Sequence, residues 1–497
     1  MKKNFVFIML VVSLVFNAVE AFGQTTLSGT YTSDNKSNIT FTGKNFILVV
    51  ESNNNSKFGV FSSLPRKGTF SISGSSLTLN ISTYDDDPII EKWTIINANT
   101  LKDNRNIVYV KEGTSSNTTS QPAAPPANSR DFEMNGTTLV KYKGNATNVT
   151  IPSGVTAIGE KAFYDNTTIT VVTIPSSVTS IGNQAFRFCY RLVSITIPSS
   201  VTSIGESAFD SCTDITNITI PASVKIIGNK AFHDCRSLTS ITVDTQNNAY
   251  SSTEGVLFNK NKTILIQYPS GKKETSYTIP ASVTTIGENS FSWNSYITNI
   301  TILSSVTTIK DNAFASCRDL ANITVDTQNS AYSSMEGVLF NKNKTVLILY
   351  PKSKQGTNYT IPSSVTSIMN EAFIGNTKIT SVTLPSGVTS IGKLAFAFCD
   401  KITSITIPSN VTSIADEAFS HCASLTRIII PSSVTSLGYQ AFSYCDSLAS
   451  ITIPSSVTSV GDLAFFGCDN LKTVTLSRKA KIGKDAFPSS AKITYSD

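Results

Sequence analysis

The chain has 497 residues, of which 40% are hydrophobic and only 15% charged, with a formal net charge of +6. That length is too great for one compact core, so several domains or an extended repeat array are expected. Lys and Arg form no cluster, which argues against a nucleic-acid partner, because displacing counterions takes a concentrated basic stripe.

Residues 1–23 read as a secretory signal peptide. Lys2 and Lys3 form the basic start, Phe5–Phe16 the apolar run, and Ala21 and Gly23 a small-x-small cleavage site before Gln24. The apolar run is too short for a comfortable membrane span, so no integral membrane segment is expected. The mature chain is expected to be secreted or held at the cell surface.

Residues 24–112 alternate short β-rich runs, such as Phe46–Val50, Leu77–Ile81 and Ile107–Val110, with Gly, Asn and Asp turns. This predicts a small all-β domain, either a barrel or a sandwich. Ser28-Gly29-Thr30-Tyr31 and Lys67-Gly68-Thr69-Phe70 resemble small lipocalin-like barrels of exported bacterial proteins. About 90 residues leave little room for a ligand inside such a barrel. Residues 113–130 are rich in Ser, Thr and Pro without apolar periodicity and read as a linker.

From residue 131 the chain repeats. Pro152, Pro175, Pro198 and Pro221 fall 23 residues apart, as do Pro362, Pro385, Pro408, Pro431 and Pro454. Pro280 opens a further copy and Leu303 takes the proline's place in the next, while the two long gaps each contain an insert of 36 residues. A fixed period of this size marks a solenoid. In the second copy the apolar set is Val178, Ile181, Phe186, Leu192, Ile195 and Ile197, a pattern that fits neither one helix nor one long strand. Ile195-Thr196-Ile197 alternates as a strand, with Thr196 outward; Pro198 ends it. One coil cannot bury these faces, but stacked coils bury them against each other. Twelve Phe residues, from Phe163 to Phe487, are expected to stack in register. The segment 135–142 and both inserts share a Thr-x-Leu-x-x-Tyr ending, at Tyr142, Tyr268 and Tyr350. They read as copies of one β-hairpin, placed before coil one and inside coils four and six, with Lys-rich turns at 259–262 and 341–344.

The pattern Ile-x-Ile-Pro-x-x-Val-x-x-Ile-Gly-x-x-Ala-Phe-x-x-Cys-x-x-Leu resembles the BspA-like leucine-rich repeat of bacterial surface proteins, over residues 131–497. The expected fold class is therefore mainly β: a leucine-rich-repeat solenoid of about 12 coils with two hairpin inserts, preceded by the small all-β domain. The resemblance implies binding rather than catalysis. Its members are mostly surface or secreted proteins, several of them adhesins for host matrix proteins, so a host matrix protein or another cell-surface protein is the expected partner.

The eight cysteines all occupy one rung, fourteen residues after the coil's first position, where Asn166, Asn294 and Asn376 stand in other coils. A disulfide scheme would strand Cys317, so buried free thiols are expected. His233 and His421 lie too far apart in the array to share a metal, and His233-Asp234-Cys235 reads as a chance neighbourhood. No phosphate loop, HExxH motif or nucleophile elbow is present, so no catalytic residue, cofactor or metal is expected.

An outward Thr recurs on the strand in ten coils of eleven, with Ile429 the exception; a soluble β-face explains it, and a flat docking sheet is the alternative. The coils differ most twelve to sixteen residues after the proline, where aromatic and Arg side chains gather. Such residues dominate binding hot spots. Within that set Arg187, Tyr190, Trp293 and Tyr296 are the expected binding residues, with the Lys-tipped hairpins as a second contact. The alternatives are rings that merely cover the core, an envelope spacer without a ligand, and a carrier of small apolar ligands acting through residues 24–112.

Overall fold

The computed structural model describes residues 129–496 and, before them, only the backbone of eight strands. The chain divides into two compact units, Met1–Pro122 and Ala123–Asp497. The expected signal peptide and the body of the linker lie outside the described residues. In the first unit the strands pair antiparallel in chain order from Gly29–Thr32 to Val108–Lys111, and the last pairs back onto the first to close a barrel. Among the described residues no helix is long and apolar enough to cross a membrane.

The second unit is a β-solenoid of stacked coils. Each coil contributes to three parallel ladders. The first is the strand before the proline: Val171–Thr173 pairs with Ser194–Thr196 in register, Val172 opposite Ile195. The second is the two-residue strand after it, Ser180–Ile181 on Ser203–Ile204. Ile181 and Ile195 point inward and are buried, whereas Thr196 is exposed, as alternation requires.

The third ladder is a run of turns. Gln184, Phe186 and Phe188 donate their N–H groups to the Glu206, Ala208 and Asp210 carbonyls of the next coil. To aim those N–H groups along the array, Gln184 and Phe188 take left-handed φ values of 54° and 64°. For a residue with a Cβ this costs roughly 1–2 kcal/mol, which the hydrogen bonds offset.

The polar residues of the repeat lock coil to coil. Ser200 Oγ donates to the Val178 carbonyl at 2.6 Å and Thr202 Oγ1 to the Thr179 carbonyl at 3.1 Å. The glycine of the Ile-Gly pair is set by close approach: a Cβ on Gly205 would lie 2.5 Å from the Asn183 backbone nitrogen. The Ser-Ser-Val-Thr-Ser-Ile-Gly stretch is thus an inter-coil fastening.

The aromatic core departs from the expectation of one continuous stack. It is three stacks, each begun by a tyrosine of a hairpin. Tyr142 leads into Phe163, Phe186, Phe209 and Phe232; Tyr268 into Phe291 and Phe314; Tyr350 into Phe373 and on to Phe487. The buried apolar residues fall into the same three clusters. The inserts therefore follow complete coils four and six rather than sitting inside them. Each is three-stranded: Tyr250–Thr253, Val256–Asn259 and Ile264–Gln267 run antiparallel. Glu254 and Gly255 both have positive φ, at 51° and 78°, as a tight hairpin turn demands. Its central strand is buried on both faces. Leu257 belongs to the cluster before it, Val256 and Phe258 to the one after.

The Cys/Asn alternation follows from this plan. All eight cysteines are free and buried. Cys212 Sγ donates to the Phe186 carbonyl of the preceding coil at 3.0 Å, and Cys317 Sγ to Phe291 at 3.1 Å. After an insert no ordinary coil precedes. There Asn294 Nδ2 reaches the Pro269 and Lys272 carbonyls, each at 3.0 Å, while its Oδ1 accepts from Tyr296 and Ile297. Asn376 Nδ2 similarly reaches the Pro351 and Lys352 carbonyls, each at 3.3 Å.

Candidate functional site

The residues twelve to sixteen after the proline emerge at the turn ladder. Their backbone is held by the inter-coil hydrogen bonds, so their side chains are presented from rigid positions. Phe188, Trp293, Phe398 and Tyr444 all occupy left-handed positions, with φ between 57° and 65°, where Gly375 and Gly467 stand in other coils. A bulky residue there is unusual.

Arg187 and Tyr190 lie together in coil two. The Arg187 guanidinium covers the Phe188 ring at 4.5 Å, Phe188 lies 5.9 Å from Tyr190, and Tyr164 meets Phe188 edge-on at 5.4 Å. Tyr190 is 41% exposed. Partial burial, then the Asp165 and Asp234 carboxylates, push its phenol above the ordinary value. Trp293 and Tyr296 lie in coil five. Trp293 is half-buried beneath Arg236, 4.6 Å from the guanidinium, and Tyr296 is 40% exposed.

A polar chain that the sequence reading missed joins the two pairs. Arg187 Nε lies 2.8 Å from Asp210 Oδ2 but off-axis for a hydrogen bond, so the contact is an ion pair. Asp210 Oδ1 is 2.9 Å from His233 Nδ1. Ser211 Oγ bridges Asp210 and Asp234 at 3.2 and 3.3 Å. Asp234 then holds Arg236 through Nε at 2.7 Å and a second nitrogen at 3.2 Å; that hydrogen bonding raises the Arg236 pKa. His233 and Asp234 enter this network separately, His233 as a branch off Asp210 and Asp234 through Ser211 on the path to Trp293. The available signal was the pairing of Asp210 with Arg187 and His233, each 23 residues away on a neighbouring coil.

A second aromatic row stands on coils eight to eleven. Phe398 stacks on His421 at 4.3 Å, His421 on Tyr444 at 4.4 Å, and Tyr444 meets Phe466 edge-on at 5.6 Å. Two of the four hairpin lysines expected as a second contact, Lys260 and Lys342, hydrogen-bond within their own inserts. Lys342 Nζ donates to the Thr327 carbonyl at 3.0 Å, and Lys260 Nζ to Asn247 within its own insert. Among the described residues no group of His, Cys, Asp and Glu is arranged to hold a metal ion.

The family described as BspA type leucine rich repeat region matches residues 137–264, 268–350, 349–472 and 391–496, in 6 copies. The chain belongs to this family. The BspA-type repeat accounts for the Ile-Pro, Ile-Gly and Ala-Phe positions above, and the match spans every coil of the solenoid from the first hairpin onward. Similar solved structures include a leucine-rich repeat protein from Eubacterium ventriosum, 26% identical, covering 67% of this chain and 88% of that one, with a TM-score of 0.44. A leucine rich cell surface protein from Faecalibacterium prausnitzii is 27% identical over 74% of this chain and 92% of its own, with a TM-score of 0.44. The pneumococcal vaccine antigen PcpA is 22% identical over 86% and 94%, with a TM-score of 0.45. No curated protein matches the chain.

Proposed function

We propose that this BspA-type protein is an exported, cell-surface or secreted binding protein that acts by protein–protein contact. Its docking face lies on coils two to five, with Arg187, Tyr190, Trp293 and Tyr296 as anchors. The observation that carries this reading is the network Arg187–Asp210–Ser211–Asp234–Arg236–Trp293, which ties Arg187 to Trp293 across the coils that also carry the exposed Tyr190 and Tyr296 rings. Pre-ordered aromatic and Arg side chains lose little entropy on binding. Residues 1–23 act as the export signal, 24–112 form a separate small β-domain, and 113–130 connect it to the solenoid.

The test is saturable binding of the mature chain to purified extracellular-matrix and cell-surface proteins. With a partner in hand, Trp293→Ala and Arg187→Ala should each weaken affinity by more than about 1 kcal/mol. Unchanged affinity in both variants would move the docking face elsewhere, first to the outward Thr sheet.

A further inference from the structure

The turn ladder stops at the end of coil six. In ordinary coils the N–H groups nine and eleven residues after the proline donate to the next coil, as Gln184 and Phe186 do. Their counterparts in coil six are Asn312 and Phe314, and among the described residues neither N–H has an acceptor. The second insert follows, and the ladder resumes only where the Tyr350 N–H meets the Ala372 carbonyl at 2.8 Å. At this seam lies a cavity of about 540 Å³, lined by Asn312, Phe314, Ile348, Lys352 and Ile374.

The seam after coil four is built from the same segments and leaves the Lys230 and Phe232 N–H groups without backbone acceptors too, but it is bridged by side chains. There Asn229 donates to Glu288 at 2.9 Å, Lys230 lies 4.0 Å from Glu288, and Arg236 caps Trp293. At the second seam Asp311, Asn312, Asn370 and Gly375 replace Asn229, Lys230, Glu288 and Trp293. None of the three bridges can form. Ser270, which donates to the Ser292 carbonyl at 3.1 Å, is replaced by Lys352, and Ser292 by Ile374. Among the described residues the Lys352 ammonium makes no hydrogen bond and no ion pair within 4 Å, and the Glu371 carboxylate attracts it from a greater distance. Burial lowers its pKa and raises that of Glu371, which also lines the cavity with Lys310 and Asp311. A partly desolvated ammonium with no direct partner, beside two vacant N–H donors, can accept an anion that competes with the more distant Glu371 carboxylate. The apolar wall demands that the anion carry an apolar group.

We propose that the seam after coil six binds an organic carboxylate bearing an apolar group, with the carboxylate on Lys352 Nζ and the Asn312 and Phe314 N–H groups, and the apolar part against Phe314, Ile348 and Ile374. A peptide with a free apolar carboxyl terminus and a small free carboxylic acid share this chemistry. Backbone N–H groups capture terminal carboxylates in this way elsewhere. The site is independent of the docking face on coils two to five.

Isothermal titration of the full mature chain distinguishes the two sources. The probes are octanoate, and an acetylated tripeptide ending in phenylalanine as the free acid and as the amide. At least one acid should bind, and the one that does identifies the source; the amide should bind at least tenfold more weakly than its acid. Lys352→Met should lower the affinity at least tenfold, and Asp311→Asn, which removes a neighbouring negative charge, should raise it. Ile374→Trp, which fills the cavity, should abolish binding while the thermal unfolding curve of the chain stays in place, and it decides the matter if the Lys352 variant folds poorly. Binding of neither acid, equal binding of acid and amide, or full affinity in Ile374→Trp overturns the proposal.

Discussion

The Arg236 guanidinium lies 4.6 Å from the Trp293 ring, so coil four is tied to coil five on the outer side of an insert that separates them in the chain. The contact is the outer clasp of the first seam. Inside the core the aromatic stack restarts beyond the seam at Tyr268, 5.0 Å from Phe291.

Arg236→Ala should uncover the indole without dismantling the coil. The chain has only two tryptophans, and the emission of Trp293 should shift to the red in this variant. Partly exposed cation–π pairs are worth about 0.5–1 kcal/mol, so a double-mutant cycle between Arg236 and Trp293 should give a coupling energy of that size. Absence of coupling would mean that the two side chains are merely neighbours.

Alkaline pH should destabilise the solenoid through its thiols. Burial raises the Cys189, Cys317 and Cys422 pKa values from 9.0 to about 12, and those of Cys212, Cys235, Cys399 and Cys445 move upward as well. A raised folded-state pKa favours the neutral thiol. The stability it contributes is complete below pH 9 and is lost as pH rises from there towards 12. Melting temperatures measured from pH 7 to 11 should be flat at first and then fall, and alkylation at pH 8 should modify none of the eight thiols before unfolding.

An interior phenylalanine is flanked by rings on both sides. Phe419 lies 5.3 Å from Phe396 and 5.4 Å from Phe442. Phe419→Ala should cost about 3–5 kcal/mol. Phe487 is only partly buried and has one stacking neighbour, so Phe487→Ala should cost clearly less in the same denaturant titration.

The Asn of a seam coil should not be replaceable by the Cys of an ordinary one. Asn294→Cys removes two bonds to carbonyls and two from backbone N–H groups. A buried group left unsatisfied costs about 1–3 kcal/mol, so the variant should melt measurably earlier. The reverse exchange, Cys212→Asn, should also be unfavourable, because the preceding coil offers the Phe186 carbonyl where a seam offers two.

The period, the buried Phe and Cys rungs and the inward Ile positions were legible because each coil must present the same atoms to the next, so stacking imprints itself on the sequence. Arg187, Tyr190, Trp293 and Tyr296 were legible as interruptions of that uniformity. The Asp210–His233 pairing was harder to read, because its only signal was a 23-residue spacing between polar side chains confined to coils two to four. The division of the Phe stack was not legible: Tyr268 and Tyr350 belong to the inserts, and only the structure shows that each takes a phenylalanine's place in the core. The left-handed positions of Phe188 and Tyr444 were hidden for a related reason, since the inter-coil hydrogen bonds, and not the residue type, set that backbone.

The two inserts have identical connections at both ends. The chain leaves a finished coil at Val243 or Val325, crosses three antiparallel strands and restarts its core at Tyr268 or Tyr350. Residues 244–325 are thus one exchangeable cassette: excising them would join Val243 to Asp326 across the kind of seam the chain already uses twice. Length can be added to or taken from this array in such cassettes without re-registering a single strand, and only the outward side chains would record the change.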